Sequence, residues 1–179
     1  MQRIVTLLVL MSCLAFGTTT QEIIINKTLS YEGVQKLGNS KRGIELSTLK
    51  TYNKLKGTSW KLDTLTHNQA VEILKELYWF DRLDYITSDW VKFALFDFGM
   101  NTNPSKAYQL LHKAFGLKSQ SVLSLELVSK LNSLSPKEAV YKICGVRENY
   151  LRSLSKFKTY GKGWLRRIND IRNNKKEKI

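Results

Sequence analysis

Cysteine, proline and histidine are scarce in this sequence of 179 residues. The two histidines, His67 and His112, stand far apart, and no cysteine–histidine cluster with the spacing of a metal site is present. We therefore expect neither a metal nor another cofactor. Only two prolines interrupt a chain that is rich in helix-forming residues, which predicts a mainly α-helical fold.

Acidic residues are also few. Fifteen Asp and Glu stand against 29 Lys and Arg, so the net charge is +14 and the pI is about 9.8. This surplus of positive charge predicts a polyanionic partner, which is a nucleic acid, an anionic membrane or a cell wall. The length suits one domain with its own core, preceded by a leader, and we find no internal repeat.

The first 20 residues are interpreted as a leader. A basic start, Met1-Gln2-Arg3, precedes an apolar run that is too short to span a bilayer, and Ala15-Phe16-Gly17 offers small residues for a signal peptidase. We expect a cleaved signal peptide and export to the periplasm or beyond. A lipid anchor on Cys13 and an uncleaved leader that makes transient membrane contact are the alternatives. Removal of the leader leaves Cys144 alone, as an apolar core residue without a disulfide partner.

The stretch 22–44 carries the first candidate functional residue. Ile25, Leu29 and Glu32 follow the spacing of one helical face, which places Glu32 on an apolar stripe in the last turn of a helix that Gly33 would end. A carboxyl half-buried beside a cleft has a raised pKa, as a general acid needs. The alternative is a solvated Glu near a helix C-terminus.

Two further segments place polar groups among apolar ones. Trp90, Phe93, Ala94 and Asp97 share a face of the most apolar predicted helix, 90–100. A buried carboxylate must be paired or hydrogen-bonded, so Asp97 is expected to brace a neighbouring loop or helix end. The aromatic cluster at 78–81 suits either the core or the wall of a cleft.

Three segments, taken in order, resemble the glycoside hydrolase family 108 lysozymes, the phage endolysins of the N4 type. Tyr31-Glu32-Gly33 with Gly43-Ile44 resembles the E-G-G…T-x-x-G-I start of that family. Leu77-Tyr78-Trp79, followed by the segment 95–101 (LFDFGMN), resembles its Y-W and F-D-x-x-x-N segments. The segment 160–168 (YGKGWLRRI) resembles the F-G-x-G-W-x-x-R-(I/V) end of its peptidoglycan-binding region.

The resemblance implies a mainly α, lysozyme-like fold with a shortened active-site loop. It divides the chain into the leader 1–20, a catalytic region 21–117, a helical peptidoglycan-binding region 118–172 packed on it, and a basic tail 173–179. It further implies a muramidase in which Glu32 is the catalytic general acid and Ser40 replaces a Thr of the active-site loop. The candidate substrate-binding residues are Ser40, Tyr31, Tyr78, Trp79, Asn101 and Trp164.

The chain departs from the family pattern after Glu32. Val34 replaces the second Gly, and the following loop is short and lacks Asp, so the second carboxylate that most glycosidases use is not evident. It would come from Asp81, Asp84 or Asp97; alternatively, Ser40 or Asn39 would position water for a single-Glu mechanism, or the site would only bind. An alternative alignment, which places Asn26 at the catalytic position, loses the Tyr31-Glu32-Gly33 match.

Three functions compete at this point. The first is an exported, bacteriolytic hydrolase, a lysozyme or N-acetylmuramidase, that cleaves the β-1,4 MurNAc–GlcNAc bond of peptidoglycan. It would act as a monomer and would also bind anionic wall polymers. The second is a non-catalytic peptidoglycan-binding or lysis-regulating protein on the same fold. The third, a nucleic-acid-binding protein, rests on the basic charge alone, and the exporting leader argues against it.

Overall fold

A computed structural model describes residues 18–32, 38–79 and 81–173 of the chain. These residues form eight α-helices and one short hairpin, which confirms the mainly α prediction. The elements are, in order, α1 (Thr20–Leu29), β1 (Ser40–Lys41), β2 (Ile44–Glu45), α2 (Leu46–Lys56), α3 (His67–Tyr78), α4 (Asp89–Thr102), α5 (Pro104–Ala114), α6 (Leu125–Asn132), α7 (Pro136–Arg152) and α8 (Phe157–Asn173). Two 3-10 turns lie at Leu62–Thr64 and Asp81–Tyr85. No helix among the described residues is both long and apolar enough to cross a membrane.

Local sequence signals set several helix ends. Thr66 and Ser135 each close a capping box with the residue three positions on, Gln69 and Glu138, so free N–H groups at the starts of α3 and α7 are satisfied. Gly57 ends α2 in the left-handed conformation that glycine adopts without a steric cost.

Helix α4 lies at the centre of the fold. Its residues from Phe93 to Gly99 are all buried, because α1, α3, α5 and α7 pack around it. Residues 93–99 of α4 are apolar except for Asp97, as a helical segment that is covered on every side requires. Among the described residues, Asp97 is the one buried carboxylate, and it lies within the central helix.

Helix α8 covers α7 at the C-terminal end of the chain. It includes the segment 160–168 and ends at Asn173. Gly161 is buried where the ring of Phe157 approaches, so that a Cβ there would come within 2.9 Å of the ring. The Trp164 ring contacts the rings of Phe157 and Tyr160, which belong to the same helix. The basic residues 174–179 and the leader residues 1–17 lie outside the described part of the chain.

Cys144 is buried in α7, as expected of a core residue. Burial raises the pKa of its thiol to about 11, so the thiol is neutral at physiological pH and does not act as a nucleophile.

Candidate functional site

Glu32 lies just after α1 rather than inside it. The helix ends at Leu29, and the backbone N–H of Glu32 donates to the carbonyl of Leu29 in the turn that follows. The prediction that Glu32 occupies the last helical turn is therefore wrong, since the helix stops three residues earlier. Gly33, the predicted stop, lies outside the described residues.

The carboxylate of Glu32 is fixed by a cation from the other end of the chain. Nη1 of Arg167 donates to Oε1 of Glu32 at 2.6 Å, and the Glu32 side chain is 28% exposed. It is half-buried, as predicted, but the expected purely apolar surroundings are wrong because a guanidinium faces it. The ring of Tyr31 covers the face of that guanidinium, with the Arg167 Cζ 4.7 Å from the ring centre.

Arg167 is itself held by the buried Asp97. Its Nε and Nη2 donate to both oxygens of Asp97, at 2.7–3.2 Å, which leaves Nη1 free to turn toward Glu32. A second cation, Arg147 of α7, donates from Nη1 to Oδ2 of Asp97 at 2.7 Å. Glu32, Arg167, Asp97 and Arg147 thus form, in this order, a continuous network of ion pairs. The network joins α4, α7 and α8 to the end of α1.

The pKa values of Asp97 and Arg167 are shifted by their charged neighbours. Burial raises the pKa of Asp97, but the guanidiniums of Arg167 and Arg147 outweigh it, so the pKa lies below its ordinary value. Burial lowers the pKa of Arg167, and the carboxylates of Asp97 and Glu32 raise it by more. Asp97 is thus a fixed anion at neutral pH. Asp97 is paired and hydrogen-bonded, as expected, but its partners lie within α7 and α8 and not in a loop or at a helix end. Because it is fully buried, it is not available to a substrate as a second catalytic acid.

The hairpin β1–β2 packs against Glu32 from the other side. Gly43, in its turn, has φ +73°, and a Cβ at this position would lie 2.7 Å from the Glu32 Cγ. Only glycine therefore permits this approach without a shift of either group. Strand β1 contains the half-buried Ser40, which pairs with Glu45 of β2. Ser40 therefore lies in the same hairpin as Gly43, the residue that approaches Glu32.

Substitution of Gly43 by alanine tests this contact. The Cβ would displace the Glu32 side chain, and the left-handed backbone would cost about 1–2 kcal/mol, so we expect both lower stability and a loss of hydrolytic activity of at least about tenfold. Gly57→Ala is the matched control, because Gly57 has φ +66° with nothing within 4 Å of an added Cβ. Thermal melts should move similarly for both variants, and turnover per folded molecule should fall only for Gly43→Ala.

The other predicted binding residues lie apart from one another in the fold. Tyr78 lies in a groove of about 290 Å³, where its hydroxyl is 3.4 Å from that of Thr48 and where Asn103, Pro104 and Ser105 form the opposite wall. Trp79 packs on Phe96, and its Nε1 donates to Asp84, so much of its ring is part of the core edge. Asn101 is half-buried near the end of α4. Trp164 lies on α8, one turn before Arg167.

Of the remaining second-acid candidates, Asp84 is exposed and bound to the Trp79 indole, and the side chain of Asp81 is not among those described. Sequence reasoning missed Arg147 and Arg167 as partners of Asp97. A signal was present for Arg147, since it lies on the buried face of α7 with Val140, Ile143 and Cys144, where a lone cation needs an anion.

Two comparisons with known proteins found a match to this chain. Residues 26–102 match the family model described as Glycosyl hydrolase 108. The solved structure of Brucella abortus SagA is similar in fold, with a TM-score of 0.69 and 24% sequence identity over 87% of this chain and 92% of that chain. The search of curated proteins found no match.

The fold is therefore mainly α and lysozyme-like, and the resemblance seen in the sequence is confirmed for residues 26–102, which match the glycosyl hydrolase 108 model. The match supports a glycoside hydrolase of the lysozyme-like, peptidoglycan-degrading kind. It includes Glu32, Asp97 and the hairpin but ends before α5, so the peptidoglycan-binding role of 118–172 stays a prediction.

Proposed function

We propose that the protein is an exported lysozyme that cleaves the β-1,4 bond between N-acetylmuramic acid and N-acetylglucosamine, with Glu32 as the general acid. The observation that carries the proposal is the position of Glu32: it is partly open to solvent, fixed between the hairpin turn and Arg167, and inside the region that matches a glycosyl hydrolase family. A catalytic carboxyl needs this combination of access and fixed geometry.

In the proposed reaction, Glu32 protonates the glycosidic oxygen as the bond between this oxygen and the anomeric carbon breaks. Positive charge develops on the sugar ring that contains this carbon. Arg167 binds Oε1 of the carboxyl, which leaves Oε2 for the proton that is transferred. Since Asp97 is buried and paired, we propose a reaction without a second acid. Water, positioned from the segment of Asn39 and Ser40, adds to the cationic sugar carbon and releases its proton to the solvent.

Purified sacculi separate this function from its alternatives. The muramidase releases reducing ends that are N-acetylmuramic acid, which mass spectrometry of the reduced fragments identifies. Co-sedimentation with sacculi without new reducing ends would instead identify a non-catalytic binder, which the ion-paired state of Glu32 favours. Retention on duplex DNA with no affinity for sacculi would point to the nucleic-acid alternative.

The leader and the positive charge complete the proposal. We propose that residues 1–20 direct export, so that the protein reaches the wall and is bacteriolytic there. The net charge of +14 then attracts the chain to anionic wall polymers and speeds its association.

Binding to sacculi should therefore weaken as salt is added. The screening length falls from about 10 Å at 0.1 M to about 3 Å at 1 M salt, so co-sedimentation should decrease several-fold over this range. Sacculi stripped of their anionic polymers are the control and should show a smaller decrease. Equal binding at both salt concentrations would show that charge does not drive the association.

A further inference from the structure

One side chain of the C-terminal helices, that of Arg167, contacts the candidate catalytic residue. Arg167 belongs to α8, 135 residues after Glu32 and well beyond the region that matches the hydrolase family. Three of its hydrogen bonds go to Asp97 and one goes to Glu32. The guanidinium is thus anchored along one edge, and the remaining nitrogen is directed at the carboxylate by that anchor.

We propose that Arg167 is the positioning residue of Glu32, and that Asp97 and Arg147 hold Arg167 in the orientation that this role requires. The inference rests on the proposed function of Glu32. It means that α7 and α8 are a part of the catalytic unit, in addition to any role that they have in binding the wall.

Burial and stacking make Arg167 suited to this role. Its side chain is only 10% exposed, and Tyr31 lies over its plane, so the guanidinium has little freedom to move. Glu32 is held twice, at its Cγ by the Gly43 backbone and at Oε1 by Arg167. Two points of contact define the direction in which the carboxyl faces the solvent, whereas the Gly43 contact alone leaves its last torsion free to rotate.

Arginine is required because of its shape as well as its charge. A guanidinium offers five donors in a planar fork and can bind two carboxylates at once, but a lysine ammonium is a point charge on a flexible stem. Arg167→Lys keeps a cation beside Asp97 and so preserves the buried ion pair, while it loses the fixed bridge to Glu32. Arg167→Gln removes the charge as well.

The test is steady-state kinetics on soluble, uncross-linked glycan strands, with rates given per folded molecule. We expect kcat to fall by roughly ten- to a hundredfold in Arg167→Lys and further in Arg167→Gln, with KM changed much less. The control is Arg152→Lys in α7, where an exposed arginine pairs with Glu148; its kcat should equal that of the wild type. A purely structural role would lower the folded fraction but leave kcat per folded molecule unchanged.

A second variant keeps the inference testable if Arg167→Lys does not fold. Tyr31→Leu keeps apolar bulk at a half-buried position but removes the ring over the guanidinium, so kcat should fall by a few-fold. A change in KM alone would mean that Tyr31 only binds sugar, and it would contradict the inference. Wild-type kcat in Arg167→Lys would overturn it while leaving the proposed function intact; a wild-type protein that releases no reducing ends would overturn both.

Discussion

Replacement of Glu32 by glutamine is expected to abolish clearing in a zymogram with embedded peptidoglycan and to lower the release of reducing ends by a factor of about 10² to 10⁴. Glutamine has nearly the same shape and still accepts a hydrogen bond from Arg167, so the fold is kept. It carries no transferable acid proton, so the general-acid step is lost.

Glu45→Gln is the matched control for this experiment. Glu45 is an exposed glutamate in strand β2 of the neighbouring hairpin, and its carboxylate contacts only the nearby Ser47 among the described residues. Its clearing should equal that of the wild type. If Glu32→Gln cleared the gel as well as Glu45→Gln does, Glu32 would not be the acid, and the catalytic site would have to be sought elsewhere.

Replacement of Asp97 by asparagine is expected to cause the largest loss of stability. The change leaves the guanidiniums of Arg147 and Arg167 buried without their anion, and breaking a buried ion pair in this way costs about 3–5 kcal/mol. Nε and Nη2 of Arg147 already lack a hydrogen-bond partner among the described residues, so this cation depends on Asp97. Urea unfolding followed by circular dichroism measures the difference.

Asp89→Asn, at the start of the same helix, is the control for Asp97→Asn. Asp89 is partly exposed and pairs with Lys92, and such surface pairs contribute at most about 1 kcal/mol. A loss in Asp97→Asn as small as that in Asp89→Asn would mean that the buried ion pairs contribute nothing that asparagine cannot replace.

The difference in unfolding free energy between the wild type and Asp97→Asn should change with pH in one defined direction. Because the folded pKa of Asp97 is below the unfolded value of 3.8, its contribution to stability is fully present above pH 3.8 and is lost as the pH falls below it. The difference in unfolding free energy between the wild type and Asp97→Asn should therefore be constant near neutral pH and should shrink under more acidic conditions. A difference that grew toward acid pH would contradict the assignment of Asp97 as a paired anion.

Several elements followed from the sequence because their causes are local. The caps at Thr66 and Ser135 and the stop at Gly57 depend on residues within one helical turn, so they could be located from the sequence. The hairpin Ser40–Glu45 was not predicted, because each strand has only two residues and carries no measurable alternation. The end of α1 was misplaced by three residues for a related reason, since periodicity continues through a turn that is no longer helical.

The sequence by itself determined that the central helix contains a carboxylate that needs partners, and that Glu32 stands at the start of a lysozyme-like motif. The tertiary structure decided which cations answer those carboxylates, because Arg147 is 50 residues and Arg167 is 70 residues from Asp97. Each of the 29 Lys and Arg residues carries a positive charge, so charge alone does not select the partners of Asp97 and Glu32. Only the packing of α7 and α8 against α4 brings these two within hydrogen-bonding distance, and the same packing places Arg167 on Glu32.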